Sequence, residues 1–337
     1  MKPFTAPVDT AAVTPLGRYR RLLSWRVRRG PVDSRPLARR YRLVSPIGRG
    51  ATSVVWYAED LRLGRFVAVK ILTEGEAAAA REHALAEARA AARLSHPNVA
   101  VVHDYGEVRV GWEKIPYLVM EYVRGPTLAD ELSLGPLADW ATAVRVCGNV
   151  AGALSAVHSA GLVHRDVKPR NVILAPAGVK IVDFGVAVTG GAPARSVSGT
   201  PLYMAPEQLR GDSPSPAGDM YSFGLVFYQC LTGTLPWPPA AMRRRRRGLP
   251  VPAARPLPAL PGVPESVSRL CDACLRVSPA QRPTSAQAAR TLLEVALPRP
   301  GPVRRTASQN VTRPHTVRAT VPAPGGALSA PGPTADG

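Results

Sequence analysis

The stretch His164-Arg165-Asp166-Val167-Lys168-Pro169-Arg170-Asn171 gathers an acid, several bases, a carboxamide and a proline. Such a segment cannot sit in a core without partners, because unpaired buried charge is costly. Nor is it a plain solvated loop, since Ala160-Gly161-Leu162-Val163 precedes it and Val172-Ile173-Leu174 follows. A polar loop held between two short apolar runs fixes reactive groups on a rigid frame. Lys180-Ile181-Val182-Asp183-Phe184-Gly185 then supplies a second short strand that ends in a carboxylate. Carboxylates and an amide delivered from adjacent strand ends suit a hard cation, which takes oxygen ligands. Asp166 is left to handle a proton.

These groups need elements that hold them. Residues 41–44, 54–58 and 66–72 read as strands, with Gly48-Arg49-Gly50-Ala51-Thr52-Ser53 between the first two. Glycines between strands let backbone N–H groups approach a phosphate closely; the bland reading is an ordinary hairpin. Lys70 ends an apolar strand, so it must snorkel outward or find an anion. Residues 76–94 are rich in Ala, Glu and Arg and predict a helix. Residues 99–105 and 117–123 read as two further strands, broken by Gly125-Pro126. A long helix over 139–160, with Val146, Val150, Leu154 and Val157 on one side, opens the helical half. Its His158 reads as a packed histidine rather than a ligand. The segment from Asp219 to Thr232 is apolar all round and predicts a buried helix.

In this order, the motifs resemble those of protein kinases. His164-Arg165-Asp166 to Asn171 is similar to the family's catalytic loop, and Asp183-Phe184-Gly185 to its metal-binding loop. Gly48 to Ser53 with Val67-Ala68-Val69-Lys70 is similar to its glycine loop and phosphate-holding lysine. Gly199-Thr200 and Ala205-Pro206-Glu207 resemble the end of its activation segment. Lys168 marks the Ser/Thr class. The Ala-rich helix, Ser53 and the short activation segment are similar to bacterial eukaryotic-like Ser/Thr kinases.

The resemblance implies an α+β, bilobal fold: a small five-stranded antiparallel β lobe with one main helix, and a larger, mainly helical lobe. It implies ATP held by Ile47, Gly48, Arg49, Gly50, Ala51, Thr52, Ser53, Val54, Val55, Ala68 and Lys70. Glu121 and Val123 would offer backbone hydrogen bonds to adenine, with Met120 behind them. Glu87 is the choice for the carboxylate that pairs with Lys70, and Glu82 is its competitor. Asn171 and Asp183 would hold Mg²⁺, with Mn²⁺ as the substitute ion. Asp166 would act on the substrate hydroxyl and Lys168 on the moving phosphate. Ser196, Ser198 and Thr200 are candidate phosphosites, with Arg165 near them to pair a phosphate. Glu207 and Arg282 are expected to form a buried ion pair, and Asp219 to tie back to the catalytic loop. Ser53 stands where the family has a third glycine, which implies a looser phosphate grip.

Charge and composition set bounds. The net charge is +19, yet residues 1–40 hold ten Arg/Lys against two acids and residues 298–337 hold five against one. The excess lies mostly in the ends and in Arg243 to Arg247, which argues against a nucleic-acid-binding face on the main domain. Residues 1–40 form a basic, Pro/Arg-rich extension that reads as a disordered leader. Leu16, Tyr19, Leu23 and Val27 also have the near-helical spacing of a face laid on an anionic membrane. Residues 41–297 are the folded domain, divided into lobes at 41–123 and 124–297, and residues 298–337 read as a disordered tail. Residues 236–264 are Pro-rich and carry the arginine run. A solvated loop is the simpler reading, and a docking site for acidic partners the sharper one. Cys147, Cys230, Cys271 and Cys274 are too few and scattered for a disulfide scaffold. No long apolar run marks a membrane helix or signal peptide, so the expected location is cytoplasmic. The expected partners are ATP, protein substrates and a second copy for autophosphorylation. Two other classes compete: a scaffold with a kinase fold and no catalysis, and a small-molecule phosphotransferase of related fold.

Overall fold

The computed structural model describes residues 36–50, 53–72, 85, 88–110, 113–183 and 201–296. The small lobe is a five-stranded antiparallel sheet of β1 (Tyr41–Arg49), β2 (Ser53–Asp60), β3 (Arg65–Leu72), β4 (Val102–Val110) and β5 (Glu113–Glu121). Its spatial order is β1-β2-β3-β5-β4. Side chains alternate across a strand, so the register decides which residues share a face. Gly48 lies opposite Val55, Val55 opposite Lys70, Lys70 opposite Leu118, and Ala68 opposite Met120. The other face buries Val67, Val69 and Val119 with Tyr41, Ala58, Tyr117 and Leu37.

Residues 36–40, which the sequence reading assigns to the extension, fold onto this sheet. Leu37 bridges Tyr41, and Arg40 grips the buried Asp60 carboxylate with Nε at 2.8 Å and Nη2 at 2.7 Å. Arg40 also reaches Asp104 at 3.1 Å, and the Tyr41 hydroxyl donates to the same carboxylate at 2.7 Å. Residues 85 and 88–91 of the helix predicted over 76–94 are helical. The strand predicted from 99 begins only at Val102. Residues 98–100 instead cross to the large lobe, because their backbone groups are used on the strand 178–181. Ile181 donates to the Asn98 carbonyl at 2.8 Å, and Ala100 donates to the Ile181 carbonyl at 3.0 Å.

The large lobe contains α1 (Leu128–Leu132), α2 (Trp140–Ser159), the hairpin β6 (Val172–Ala175) and β7 (Gly178–Ile181), α3 (Pro206–Leu209), α4 (Pro216–Thr232), α5 (Pro239–Arg246), α6 (Glu265–Cys274) and α7 (Ser285–Ala296). A capping box of Thr127 and Asp130 starts α1, and Asp139 caps α2 by accepting from the Thr142 N–H. Helix α4 starts three residues before Asp219, because Ser215 caps it and Pro216 fits its first turn. It is buried along almost its whole length, as its all-round apolar sequence predicts. Gly224 lets α6 approach: a Cβ there would stand 2.7 Å from the Cys274 Cβ. Gly125, at φ 148°, does the same at the lobe junction, where a Cβ would collide with the Leu174 carbonyl.

The solvated-loop reading of residues 236–264 is corrected at α5. Pro239 opens a helix rather than prolonging a loop, and Arg245 within the run is only 1 % exposed. Five consecutive arginines look uniformly solvated in sequence, but helical periodicity turns one of them inward. All four cysteines are buried and free, and burial raises the thiol pKa of Cys147, Cys271 and Cys274, the last to about 12. Such thiols are packing groups rather than reactive ones.

Candidate active site

The hairpin β6–β7 positions the site. Its register sets Val172 against Ile181, so the loop that ends at Asn171 and the loop that begins at Val182 leave the same end of the hairpin. Val182 donates to the Asn171 carbonyl at 2.9 Å, which locks the two loops together. The hairpin is held in turn by Asn98, whose side chain donates to the Val179 carbonyl at 2.7 Å. Lys180 on β7 pairs with the Glu121 carboxylate at 2.9 Å, tying the hairpin to the end of β5. Sequence reasoning missed Lys180, since a lysine on a four-residue strand carries no spacing signal.

From this frame the catalytic-loop groups converge. The Lys168 ammonium donates to Asp166 Oδ2 at 2.5 Å. The Asn171 amide nitrogen donates to the Asp166 carbonyl at 2.8 Å and to Oδ2 at 3.0 Å. Both donors meet one oxygen, so among the described residues Oδ1 of Asp166 is the oxygen that can take a hydroxyl proton. Across the cleft, the Lys70 ammonium on β3 donates to the Asp183 carboxylate. Residues 113 positions apart are thereby joined, and with them the two lobes. Because Asn171 spends its amide nitrogen on Asp166, its carbonyl oxygen is the group left for a cation. With the Asp183 carboxylate it makes a set of hard oxygen donors, which fits Mg²⁺.

The support of the loop is buried. Asp219, on α4, accepts the His164 N–H at 2.7 Å and the Arg165 N–H at 2.8 Å. His158 joins Asp219 at 2.9 Å to Ser285 at 2.9 Å, a packing role as the sequence reading has it. His164 is fully buried, and burial pushes its imidazole pKa below the ordinary range against the pull of Asp219. Glu207 and Arg282 form the expected ion pair, two-pronged at 2.5 and 2.9 Å. Arg282 also donates to the carbonyls of Ala217, Val277 and Arg276, so its whole guanidinium is engaged.

Of the expected nucleotide contacts, Val55, Ala68 and Lys70 share one face of the sheet with Met120. Val54 stands on the opposite face of β2. Gly50 donates to the Ser53 carbonyl at 2.8 Å, closing the turn that follows Gly48 and Arg49, and Ser53 is buried while Ile47 is exposed. The Glu121 N–H is taken by the Val101 carbonyl at 2.8 Å, so Glu121 can offer only its carbonyl, and Val123 beside it is buried. Ala51, Thr52, Glu82, Glu87, Phe184, Gly185, Ser196, Ser198 and Thr200 lie outside the described residues.

The Lys70–Asp183 pair thus joins a five-stranded lobe to a helical one. The protein kinase domain family matches residues 41–293, and the chain belongs to that family. Over 255 residues it is 41% identical to the serine/threonine-protein kinase PknA of Mycobacterium tuberculosis, covering 73% of this chain and 58% of that protein. It is 40% identical over 213 residues to the serine/threonine-protein kinase PknB of Mycobacterium leprae, covering 60% of this chain and 34% of that protein. With the serine/threonine-protein kinase pkn3 of Myxococcus xanthus it shares 35% identity over 291 residues, 77% of this chain and 50% of the relative. The chain thus spans little more than half the length of these curated relatives at most. Membership implies use of ATP with a divalent metal. Among the described residues, no helix is long and apolar enough to cross a membrane.

Proposed function

We propose that the chain is a Ser/Thr protein kinase that moves the γ-phosphoryl group of ATP to a protein hydroxyl. The observation that carries this reading is the Lys70–Asp183 pair, formed across the cleft beside the Asp166–Lys168–Asn171 cluster. Phosphoryl transfer needs little covalent chemistry from a protein and much positioning and charge. Asp166, held at Oδ2 by Lys168 and Asn171, orients the acceptor hydroxyl and takes its proton at Oδ1. Lys168, anchored on that carboxylate, stands where it can follow the transferred phosphate. Lys70 would position the α and β phosphates, and Asn171 and Asp183 would hold the metal. When bound, Mg²⁺ offsets charge that develops on the phosphate oxygens. A donor set made only of oxygen suits Mg²⁺, and Mn²⁺ as its substitute. The backbone of Glu121 and Val123 would hold the adenine, and the Gly48–Ser53 turn the phosphates.

Ser196, Ser198 and Thr200 are the proposed autophosphorylation sites, and a second copy of the chain the proposed agent. Purified protein incubated with labelled ATP and Mg²⁺ should label itself and a generic protein substrate. Asp166→Asn keeps the shape and loses the base, so transfer is expected to fall by about 10²–10⁴-fold with nucleotide affinity nearly unchanged. Full transfer by that variant would refute the mechanism. Peptide mass spectrometry after ATP treatment reads the modified positions directly.

A further inference from the structure

The run Arg243–Arg247 enters the fold unevenly. Arg245 is buried, while Arg243, Arg244, Arg246 and Arg247 are exposed. The Arg245 Nε donates to the Leu202 carbonyl at 2.9 Å, and its Nη2 donates to the Met204 carbonyl. The same guanidinium lies 4.2 Å from the Trp237 ring centroid and 5.7 Å from that of Tyr221. Among the described residues no carboxylate pairs with it; carbonyl dipoles and aromatic faces offset its desolvation. Arg245 therefore pins α5 to residues 202–204, immediately before Ala205-Pro206-Glu207.

That ledge is rigid. The Tyr203 hydroxyl donates to Gln229 at 2.7 Å, and the Tyr203 carbonyl accepts from the Ser222 hydroxyl at 2.8 Å. Burial pushes the Tyr203 phenol up to about 12, against the smaller opposing pull of the Arg170 and Arg246 charges. Residues 202–204 thus rest on α4, whose Asp219 holds the His164 and Arg165 N–H groups less than a turn before Ser222, and Arg245 of the arginine helix is bonded to the same residues.

We propose that the exposed arginines of α5 dock an acidic segment of the protein substrate as its chain leaves the catalytic loop across residues 202–204. The inference rests on the protein-kinase reading, since only a polypeptide acceptor would extend along this ledge. Guanidinium forks match carboxylates in shape and charge, and rim charges of this kind favour one partner over others. Fixed by Arg245, the helix presents them without an ordering cost at the moment of binding.

The test uses the full chain and the variant Arg243→Ser, Arg244→Ser, Arg246→Ser, Arg247→Ser, which retains Arg245. Two peptides share one acceptor serine, flanked on its C-terminal side by glutamates or by glutamines. The variant is expected to raise the KM for the glutamate peptide roughly tenfold, as several weak exposed pairs together would. Its kcat, the KM for ATP and turnover of the glutamine peptide should not change. The wild-type preference should weaken as salt is added. An unchanged KM for the glutamate peptide in the variant, or no wild-type preference between peptides, overturns the proposal. Arginine-dependent capture by phosphatidylserine vesicles without any change in KM also overturns it, and assigns the run to a membrane. Fluorescence anisotropy separates the two readings. Binding of the glutamate peptide that depends on these arginines, with no label transferred to any peptide, refutes the kinase reading and leaves the docking surface standing.

Discussion

Arg165, at φ 68°, and Asp183, at φ 60°, hold a left-handed conformation that non-glycine residues rarely adopt. Each costs about 1–3 kcal/mol and persists only where neighbours over-determine it. For Arg165 the neighbour is Asp219, which takes its N–H; for Asp183 it is Lys70. A second buried arginine shows the same dependence from the other side. Arg282 and Glu207 satisfy each other, and removing one leaves the other charged and dry. Arg282→Met is expected to lower unfolding stability by about 3–5 kcal/mol, read from urea midpoints. A loss below 1 kcal/mol would show the pair to be ornamental. Both residues were legible in sequence through the motif resemblance. Arg245 was not, because a run of five identical side chains carries no sign of which one turns inward.

At the scale of elements, the clasp of residues 36–41 decides where the small lobe begins. Asp60 is buried at the end of β2, and its carboxyl pKa is lowered, first by its hydrogen bonds to Arg40. Arg40→Ala should cost about 3 kcal/mol, the low end for a pair with one partner buried. A depressed carboxylate pKa contributes stability above its ordinary range and loses it as pH falls. The wild-type advantage over Arg40→Ala should therefore shrink in acid, below about pH 4. Equal melting temperatures of the two proteins at neutral pH would show that the clasp holds nothing. The basic composition of residues 1–40 hid this element. Arg40 is one of ten cations there, and only the fold supplies its acid, 20 residues away.

At the scale of the whole molecule, three histidines share one behaviour. Burial lowers the pKa of His96, His103 and His164 below the ordinary value of about 6.5. The unfolded chain then binds more protons than the folded one just below that pH. Stability is fully present above about 6.5 and falls as pH drops toward the folded values. Melting temperature is expected to decline between pH 7 and pH 5, and His164→Phe should flatten part of that decline. A variant curve parallel to the wild type across this range would remove His164 from the account. On the proposed mechanism, in which Asp166 rather than a histidine handles the proton, the activity itself should follow a different profile.

The amino-acid sequence alone determined the class of chemistry and the order of the elements. Those follow from local rules: residue types that ligate and transfer, strand and helix periods of two and 3.6, caps, and proline and glycine breaks. It singled out Lys70, Asp166, Asn171 and Asp183 as candidates because their neighbours resemble a family's local motifs. Only the tertiary structure decided that Lys70 meets Asp183, that Val54 and Val55 face opposite ways, and that residues 98–100 leave the sheet to pin β7. It alone separated Arg245 from its four solvated neighbours. Pairing across long stretches of chain depends on which buried groups must satisfy one another once packed, and no local pattern records that requirement.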